Sequence, residues 1–527
     1  MLFPIGISNF EVLRNEGYAY VDKTELIYQL THTGRVHFLS RPRRFGKSLL
    51  LSTIEAYFSG RRDLFQGLAI EKLEQKWDEH IVFRFSFVSS DYGILGELET
   101  QIDNFLSSKE KIFGITPSST SRSVRFQNLI KAAYEKSGRG VVVLIDEYDK
   151  PLLDTFGRNN IKDNDGFTIE EHNRRVLRTF YNVLKDYDEY LKFVMLTGIT
   201  KFSQVSVFSG LNNLKDISMR PAFDALCGIT QEELTTVFRE PIAELAEEKS
   251  ISFNDMLFEL KKRYDGYHFS KKMTDIYNPF SLLSALDGKE VENYWFSTGT
   301  PTYLIRLLNR NSLNIQEVIS ETYSIEEFAE YRADYDRPVP MLYQSGYLTI
   351  KSYDPLSELY TLDIPNQEVS RGFLTLLLQD FLKVEDGATN LANKLSVALR
   401  KNDLAKFFDQ MISFLASVPY TVRRKSTDKE RESYFQLTFY LILRMLTNFS
   451  ISVEQVTSQG RIDCVVTTET DVYIFEFKLD GTVEEALAQI EAKGYGQQYA
   501  TSGLTDHKIG VNFSSESGTV ESWGARE

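Results

Sequence analysis

A glycine–lysine–serine triplet, Gly46-Lys47-Ser48, lies between a short apolar run and a segment whose apolar residues have helical spacing. Val36 to Leu39 predicts a buried strand, and Leu49 to Phe58 predicts a helix. Backbone N–H groups at the start of such a helix bind an anion, the lysine reaches terminal phosphates, and the serine hydroxyl can ligate Mg²⁺. The triplet therefore predicts a phosphate-binding loop.

The loop departs from the general pattern G-x-x-x-x-G-K-[ST] at one position. Arg41 occupies the place of the first glycine, which usually eases a tight turn out of the strand. The basic pair Arg43 and Arg44 can touch phosphate directly and so offset the missing glycine. Arg43, Arg44 and Arg220 are also candidates for an arginine finger supplied by a second protomer, and the sequence does not choose among them.

A second motif follows about a hundred residues later. Val141 to Ile145 is a continuous apolar run, as expected of a parallel strand buried on both faces, and it ends in Asp146-Glu147-Tyr148-Asp149. Asp146 would hold Mg²⁺ through Ser48 or water, and Glu147 would orient and deprotonate an attacking water. The two motifs, in this order and at this separation, predict a site that binds and hydrolyses a nucleoside triphosphate.

Two further strands are predicted, His80 to Phe87 and Phe193 to Gly198. The second would end at the carboxyl edge of a doubly wound sheet, where Thr197 can hydrogen-bond the γ-phosphate or the attacking water. Lys201, Ser203 and Ser206 are additional candidates, although a solvated loop explains them equally well. The predicted nucleotide-binding residues are Arg43, Arg44, Phe45, Gly46, Lys47, Ser48, Leu49, Asp146 and Thr197.

Composition narrows the class of protein. A chain of 527 residues predicts two to four domains of roughly 100–200 residues each, and 42% hydrophobic with 25% charged residues is typical of globular proteins. Two cysteines exclude a disulfide framework and a cysteine-rich zinc site. With no recognisable signal peptide or membrane-length apolar run, we expect a cytoplasmic protein that does not contact membrane. The net charge of −14 disfavours a generally basic nucleic-acid surface but leaves local patches open.

The hydrophobic pattern changes along the chain. Residues 1 to about 220 alternate strands and helices, which predicts a parallel α/β sheet, and residues 225 to about 325 are helical in pattern. Within the latter, helices are expected over Gln231–Glu247, Phe253–Arg263 and Thr302–Leu308. We expect four domains: an ATPase domain over 1–222, a helical lid over 223–330, a winged-helix-like and helical linker over 331–418, and a nuclease-like domain over 419–527.

The third of these regions predicts a β-hairpin. Pro340 to Ile350 contains a helix end followed by a strand, and Leu359 to Leu362 predicts the second strand. Such a hairpin is typical of a winged helix, which either binds DNA or relays movement. We favour the relay because the hairpin carries Asp354, Glu358 and Asp363 and little positive charge. Residues 366 to about 418 are expected to be helical.

Near the C-terminus, the sequence places two carboxylates opposite each other. Arg461 to Thr467 and Val472 to Leu479 predict strands joined by a turn over Thr468 to Asp471. If Thr467 pairs with Val472, Asp463 lies opposite Glu476, with Cβ atoms about 4.5–5.5 Å apart. Two carboxylates at this distance repel each other unless a cation lies between them.

A divalent ion such as Mg²⁺ satisfies this requirement. Lys478 shares a face with Glu476, where it can orient or activate a metal-bound water, as a metal-dependent phosphodiesterase requires. The alternative is a charged surface hairpin, which we disfavour because the acids interrupt an apolar, aromatic strand. Glu432, at the start of a helix predicted over 432–446, can add a carboxylate. Gln489 lies on a helix predicted over about 483–499.

These motifs resemble two known families. The N-terminal part resembles the bacterial AAA-ATPase-like family, in which arginine at the position of Arg41 is usual, and the C-terminal part resembles the PD-(D/E)xK nuclease superfamily. The first resemblance rests on Pro4-Ile5-Gly6, Tyr20 to Thr24, Ser40 to Ser48, Ile145 to Asp149 and Phe208 to Asn213. The second rests on Gly460 to Asp463, Glu476-Phe477-Lys478, Ala486-Leu487, Gln489-Ile490 and Tyr495. It implies a nuclease core of Asp463, Glu476 and Lys478, with Gln489 in support.

Together these observations predict an α/β protein with a parallel P-loop NTPase sheet, a helical and winged-helix middle region, and a C-terminal α/β restriction-endonuclease-like domain. We expect ATP and Mg²⁺ or Mn²⁺ as ligands, with the nucleotide state controlling cleavage of DNA through domain packing or homo-oligomerisation. Bacterial defence or mobile-element biology is the setting that analogy suggests.

Three alternatives stay open. The first is a regulatory ATPase whose nuclease-like domain is inactive and only binds nucleic acid or a partner. Residues 421–500 favour it, because they carry nine Lys and Arg against twelve Asp and Glu. The second is a scaffold that binds nucleotide without hydrolysing it, which an intact Glu147 disfavours. The third is a nuclease that acts on RNA.

Overall fold

The chain forms two compact units, Met1–Glu368 and Val369–Glu527, in a computed structural model. The structure describes residues 1–88, 90–201, 213–297, 304, 315–330, 338–382, 388–418, 438–446, 449–457 and 460–526. No helix in these ranges is long and apolar enough to cross a membrane. The division into four domains at 222, 330 and 418 stays a prediction.

The first unit is built on a five-stranded parallel sheet of order β2-β3-β4-β1-β5. Its strands are β1 Val36–Ser40, β2 Val82–Ser86, β3 Val141–Asp146, β4 Leu191–Gly198 and β5 Lys215–Asp216. The four strands predicted here are confirmed, whereas the two-residue β5 is too short to leave a pattern in the sequence. The predicted parallel α/β class is therefore confirmed.

Strand β4 lies between the two strands that carry the motifs. Phe38 of β1 pairs with Leu196, and Leu144 of β3 pairs with Met195. Every residue of β1 and β3 is buried, because helices cover both faces of a parallel sheet. The carboxyl ends of β1, β4 and β3 are consequently neighbours at one edge of the sheet, where ligands bind in open α/β folds.

Eight helices accompany this sheet within the described residues. They are α1 Phe10–Asn15, α2 Thr24–Thr31, α3 Lys47–Phe58, α4 Ile70–Leu73, α5 Glu97–Phe113, α6 Arg122–Ser137, α7 Lys150–Leu153 and α8 Ile169–Asp186. Short 3₁₀ helices span Arg62–Phe65 and Asp188–Tyr190. The helix predicted after the phosphate loop is confirmed, and it begins at Lys47.

The middle of the chain is mainly helical, as predicted. Its described elements are a 3₁₀ helix Pro221–Leu226, β6 Ile229–Thr230, α9 Gln231–Val237, α10 Arg239–Glu248, α11 Phe253–Tyr264, β7 Ile276–Tyr277, α12 Pro279–Gly288, α13 Tyr294–Ser297 and α14 Ile315–Ser320. Strands β6 and β7 pair antiparallel. The single helix expected over Gln231–Glu247 is two helices, because Phe238 has φ of −112° and ends the first. Of the helix expected over Thr302–Leu308, only Leu304 is described.

The predicted β-hairpin is confirmed. It is formed by β9 Thr349–Asp354 and β10 Leu359–Asp363, after helix α16 Val339–Gln344. A third strand that the sequence did not indicate, β8 Thr322–Tyr323, pairs with β10 and is followed by helix α15 Ile325–Phe328.

The second unit contains a mixed five-stranded sheet of order β11-β12-β13-β14-β15. The strands are β11 Ser450–Thr457, β12 Gly460–Thr467, β13 Asp471–Leu479, β14 Thr505–Phe513 and β15 Val520–Arg526. The helices are α17 Gln367–Leu382, whose first two residues belong to the first unit, α18 Ala388–Arg400, α19 Leu404–Ala416, α20 over residues 438–444 and α21 Val483–Ala492, with a 3₁₀ helix Gln497–Tyr499. Only β13 and β14 pair in parallel, and α21 connects them.

Helix α21 is shorter than the sequence predicted. It ends at Ala492 rather than near residue 499, because Gly494 has left-handed backbone with φ of 57°. Leu487 and Ile490 of α21 pack on Val472 and Ile474 of β13, and the aromatic side chains of β13 point to the other face of the sheet.

Arg41 explains why the phosphate loop does not need its first glycine. The side chain is 1% exposed, and its guanidinium donates hydrogen bonds to the carbonyl oxygens of Ser40 (2.9 Å), Ser218 (2.7 Å) and Phe223 (3.2 Å). It also stacks on Phe269, 4.0 Å from the ring centroid. Arg41 therefore ties the end of β1 to the segment that follows β5.

We expect Arg41→Met to lower the free energy of unfolding of the first unit by about 3 kcal/mol, because it removes charged donors from buried carbonyl groups while keeping side-chain volume. Urea unfolding followed by circular dichroism measures this change. The exposed Arg62 provides the control, since Arg62→Met should change stability little. Equal stabilities of the two variants would contradict the anchoring role.

Candidate nucleotide and nuclease sites

The phosphate loop leaves the carboxyl end of β1 and ends at the first turn of α3. Arg44 and Gly46 both have left-handed backbone, with φ of 67° and 88°. A Cβ added at Gly46 would meet no atom within 4 Å, so conformation rather than space requires glycine there. Phe45 lies between these two residues in the sequence. Its ring packs edge-on against Tyr267 and Phe269, and these contacts hold the loop in place.

A cavity of about 520 Å³ lies against this loop. This volume is typical of small-molecule sites. The loop contributes Arg43 to Leu49 to its wall, and the acidic turn after β3 contributes Glu147, Asp149, Lys150 and Asp154. Much of the remaining wall is apolar and comes from Pro4, Ile5, Ile7, Leu153, Ile199, Pro279, Phe280, Leu283, Trp295 and Tyr347. The cavity thus offers a polar wall for phosphates and an apolar wall for a base.

Lys47 is buried at the polar wall. Its ammonium donates hydrogen bonds to the carbonyl oxygens of Arg41 and Pro42, both at 2.9 Å. Burial lowers the pKa of Lys47, and the carboxylates of Glu147 and Asp146 oppose that shift. The ammonium is therefore held at the loop by oxygen acceptors, as expected of a side chain that binds phosphate oxygens.

The predicted acidic pair lies at the end of β3. Asp146 is buried, and its carboxylate accepts a hydrogen bond of 2.9 Å from the hydroxyl of Thr197 at the end of β4. Glu147 has left-handed backbone with φ of 50° and lines the cavity. The structure thus brings Thr197 to Asp146, and the role predicted for Thr197 at the γ-phosphate stays a prediction.

Asp149 is a site residue that the sequence analysis did not single out. Its carboxylate is 1% exposed and lines the cavity, and Oδ2 accepts hydrogen bonds from the N–H groups of Ile199 (2.9 Å) and Thr200 (2.6 Å). Burial, with a smaller contribution from the charge of Glu147, raises the pKa of Asp149 to about 7, although the amide of Thr200 and the charge of Lys47 act in the opposite direction. The only signal in the sequence is its position as the third acid of Asp146-Glu147-Tyr148-Asp149.

The basic candidates differ in their surroundings. Arg44 stacks on Phe280, 4.1 Å from the ring centroid, and the carbonyl of Arg43 accepts a hydrogen bond of 3.3 Å from the indole N–H of Trp295. Arg220 does not line the cavity, and its Nε donates to the carbonyl of Asp216. The ammonium of Lys201 forms ion pairs with Asp216 (2.9 Å) and Glu330 (2.8 Å), so two carboxylates neutralise its charge, and Lys201 does not line the cavity. Ser203 and Ser206 lie outside the described residues.

The C-terminal candidate site has the predicted register. Thr467 pairs with Val472, and the pairing continues to Cys464 with Phe475. One residue further, the carboxylate of Asp463 accepts a hydrogen bond of 2.8 Å from the N–H of Phe477. Asp463 and Glu476, which were predicted to be opposite each other, therefore lie on neighbouring strands directly after the last pair of the ladder.

Lys478 lies between two oxygen acceptors. Its ammonium is 3.3 Å from Oε1 of Glu476 and donates a hydrogen bond of 2.8 Å to the side-chain carbonyl of Gln489. Gln489 is thus placed beside the lysine, as the resemblance implied. Glu432 lies outside the described residues, so its predicted contribution stays a prediction.

The electrostatics of Glu476 fit a cation site. The side chain is 2% exposed, and no described residue donates a hydrogen bond to its Oε2. Burial, with a smaller contribution from the charge of Asp463, raises the pKa of Glu476 to about 7, although Lys478 and Gln489 act in the opposite direction. No group of three or more His, Cys, Asp or Glu side chains in the described ranges could hold a metal ion. Two carboxylates, those of Glu476 and Asp463, are oxygen ligands of the kind that Mg²⁺ takes while it keeps several waters.

Comparison with known proteins agrees with this architecture. Residues 4–208 match a family model described as a predicted AAA-ATPase, and residues 430–523 match one described as the PD-(D/E)XK nuclease superfamily. A relative from Azotobacter chroococcum mcd 1, named as an uncharacterized protein in the vnfD 5' region, is 35% identical over 528 residues. The match covers 98% of this chain and 97% of the relative.

The fold and sites define an ATPase-like unit followed by a nuclease-like unit in one chain. The chain belongs to the family of AAA-ATPase-like proteins that carry a C-terminal PD-(D/E)XK nuclease superfamily domain. Both resemblances stated from the sequence are confirmed.

We expect Glu476→Gln to stabilise the second unit at pH 8 by about 3 kcal/mol in the presence of EDTA. The pKa of Glu476 is about 7 in the folded state against 4.5 ordinarily, so the folded state binds the proton more tightly. The contribution of Glu476 to wild-type stability is then most favourable below pH 4.5, and it falls as the pH rises from 4.5 towards 7. The gain in the variant should disappear below about pH 4.5, where Glu476 becomes protonated in both the folded and the unfolded wild type.

Calorimetric unfolding at a series of pH values measures this dependence. Glu484→Gln, at an exposed position on α21, is the control and should show no pH-dependent gain. Mg²⁺ should stabilise the wild type more than Glu476→Gln. A gain that is the same at pH 5 and pH 8 would contradict the charged, buried environment assigned to Glu476.

Proposed function

We propose that the first unit binds and hydrolyses ATP and that its nucleotide state controls Mg²⁺-dependent cleavage of DNA by the second unit. The observation that carries this proposal is the convergence of Lys47, Ser48 and Glu147 on one cavity with an apolar wall. The phosphates bind at the first turn of α3, and the base lies against apolar side chains.

Hydrolysis requires an oriented water and charge neutralisation on the phosphates. The N–H groups at the start of α3 and the ammonium of Lys47 bind the phosphate oxygens, and Arg43 and Arg44 add positive charge. Glu147 accepts a proton from the attacking water. When bound, Mg²⁺ supplies further neutralisation of the phosphate oxygens, with Ser48 and Asp146 as the residues that would hold it.

In the second unit, Asp463 and Glu476 are the residues that would hold a divalent ion, which supplies polarisation of the scissile phosphate when bound. Lys478, held at Gln489, orients the water that attacks the phosphodiester. Mn²⁺ satisfies the same oxygen ligands. DNA is the proposed substrate, and RNA is an outcome of the test.

Two hydrogen bonds of Trp295, which connect the phosphate loop to Glu368, support the proposal that the nucleotide state controls cleavage. The indole of Trp295 lines the cavity and donates to the carbonyl of Arg43 in the phosphate loop. The backbone N–H of Trp295 donates a hydrogen bond of 2.7 Å to the buried carboxylate of Glu368, in the first turn of α17. A change in the loop on hydrolysis would therefore reach the last residue of the first unit.

The nucleotide site is tested with Lys47→Ala. We expect ATP with Mg²⁺ to raise the unfolding temperature of the wild type and not that of the variant, because the main phosphate cation is lost. Lys72→Ala, at an exposed position on α4, should keep the wild-type response. Protection of Lys47→Ala by ATP would show that the site is elsewhere.

The nuclease site is tested by incubating purified protein with plasmid, linear DNA and RNA in Mg²⁺ or Mn²⁺, with and without ATP. We expect Glu476→Ala to abolish cleavage, Glu484→Ala to retain it, and Lys47→Ala to change its dependence on ATP. Cleavage by Glu476→Ala would refute the assigned site. Intact ATP turnover without cleavage of any substrate would favour a regulatory ATPase whose second unit only binds nucleic acid or a partner.

A further inference from the structure

The hydroxyl of Thr197 already has an acceptor inside the protein. It donates a hydrogen bond of 2.9 Å to Oδ1 of Asp146, whereas the carbonyl oxygen of Ile145 is further away, at 3.5 Å. A hydroxyl has one proton to donate, so a hydroxyl that keeps this bond cannot also donate to a phosphate oxygen. Thr197 is fully buried and does not line the nucleotide cavity. The geometry therefore favours a role that Thr197 exerts through Asp146.

Asp146 lies on the face of the sheet on which α3 begins. Arg84 of β2 pairs with Leu144 of β3 and so shares a face with Asp146, which is two residues further along β3. The guanidinium of Arg84 donates a hydrogen bond of 3.1 Å to the carbonyl of Ser48, in the first turn of α3. Ser48 also lines the cavity. A carboxylate and a serine hydroxyl on one side of the sheet end are oxygen ligands that fit Mg²⁺.

The backbones on both sides of this hydrogen bond are held in place. The carbonyl of Thr197 accepts a hydrogen bond of 3.0 Å from the N–H of Tyr148, and the carbonyl of Asp146 accepts one of 3.2 Å from the N–H of Phe87. The hydroxyl of Thr197 is therefore a donor at a fixed position, and it sets the orientation of the carboxylate. A hydrogen bond from a neighbouring group orients a metal ligand, and its loss typically lowers metal affinity by about 10- to 100-fold.

We propose that Thr197 is a positioning residue for the Mg²⁺ that accompanies ATP and that it acts by orienting the carboxylate of Asp146. This inference rests on the proposed ATPase function, in which Ser48 and Asp146 would hold the ion. A hydrogen bond to one carboxylate oxygen restrains rotation of the group, so the ligand is in place before the ion binds. Metal affinity, rather than the chemical step at the γ-phosphate, then depends on Thr197.

Thr197→Val removes the donor, because a methyl group of similar size replaces the hydroxyl. Mn²⁺ binding to the full chain, measured by electron paramagnetic resonance with a saturating β,γ-imido analogue of ATP, reports the effect without turnover. A Glu476→Ala background removes a metal ligand of the second unit from this measurement. We expect the Kd for Mn²⁺ to rise about 10-fold. The Kd of the analogue in EDTA and kcat for ATP hydrolysis at saturating Mg²⁺ should change little.

Thr200→Val is the matched control. Thr200 is also fully buried, three residues further along the chain, and no described residue forms a hydrogen bond with its hydroxyl. The same substitution there should leave the Kd for Mn²⁺ unchanged. Thr197→Ser keeps the donor and should retain most of the wild-type affinity.

The outcomes are distinguishable. A wild type that binds no nucleotide refutes the proposed function and this inference with it, whereas a wild-type Kd for Mn²⁺ in Thr197→Val refutes this inference alone. A fall in kcat at every Mg²⁺ concentration, with unchanged Mn²⁺ affinity, assigns the hydroxyl to the nucleotide and also overturns it. If Thr197→Val does not fold, Thr197→Ala replaces it with the same expectation. In an Asp146→Asn protein, Thr197→Val should weaken Mn²⁺ binding no further, and additive effects overturn the positioning role.

Discussion

The burial of charge at the carboxyl edge of the parallel sheet is the constraint on which the first unit depends. Asp146 ends β3, Asp149 follows three residues later, and Lys47 begins α3 after the loop that leaves β1; each is nearly inaccessible to solvent. Charged groups in such surroundings are stable only with hydrogen-bonding partners. The end of β4 and the residues after it supply the partners of Asp146 and Asp149, and the carbonyl groups of the loop supply those of Lys47.

The second unit also buries charged side chains, and fewer residues provide their hydrogen-bonding partners. Glu476 is buried in an aromatic strand beside Asp463, and a single ammonium offsets only part of that repulsion. Gln489 holds Lys478 through a hydrogen bond and so keeps the ammonium close to the acids. Helix α21, which carries Gln489, is covalently continuous with β13 through a short connection, so the position of this group depends on few other elements.

Short-range patterns account for the parts that could be predicted from the sequence. The three central strands of the first sheet, β1, β3 and β4, follow from apolar runs, and the register of β12 with β13 follows from the length of one turn. Asp149 could not be assigned in this way, since its partners Ile199 and Thr200 are about fifty residues away. The raised pKa of Glu476 likewise depends on burial by the folded sheet, which no local pattern shows.

Arg41 shows that the effect of a residue that departs from a motif depends on the groups that its side chain contacts in the fold. The first glycine of a phosphate loop relieves a steric problem at the end of a strand, and an arginine there would be expected to disrupt the turn. In this structure the side chain of Arg41 does not line the cavity. It donates hydrogen bonds to the carbonyl oxygens of Ser218 and Phe223, which are distant in the sequence but contact the loop in the fold. The same guanidinium that replaces the glycine thereby fixes the strand end from which the loop departs. At the start of the loop, the hydrogen bonds of the Arg41 side chain take the place of the conformational freedom of a glycine, so the sequence pattern can change there while the phosphate-binding loop is kept.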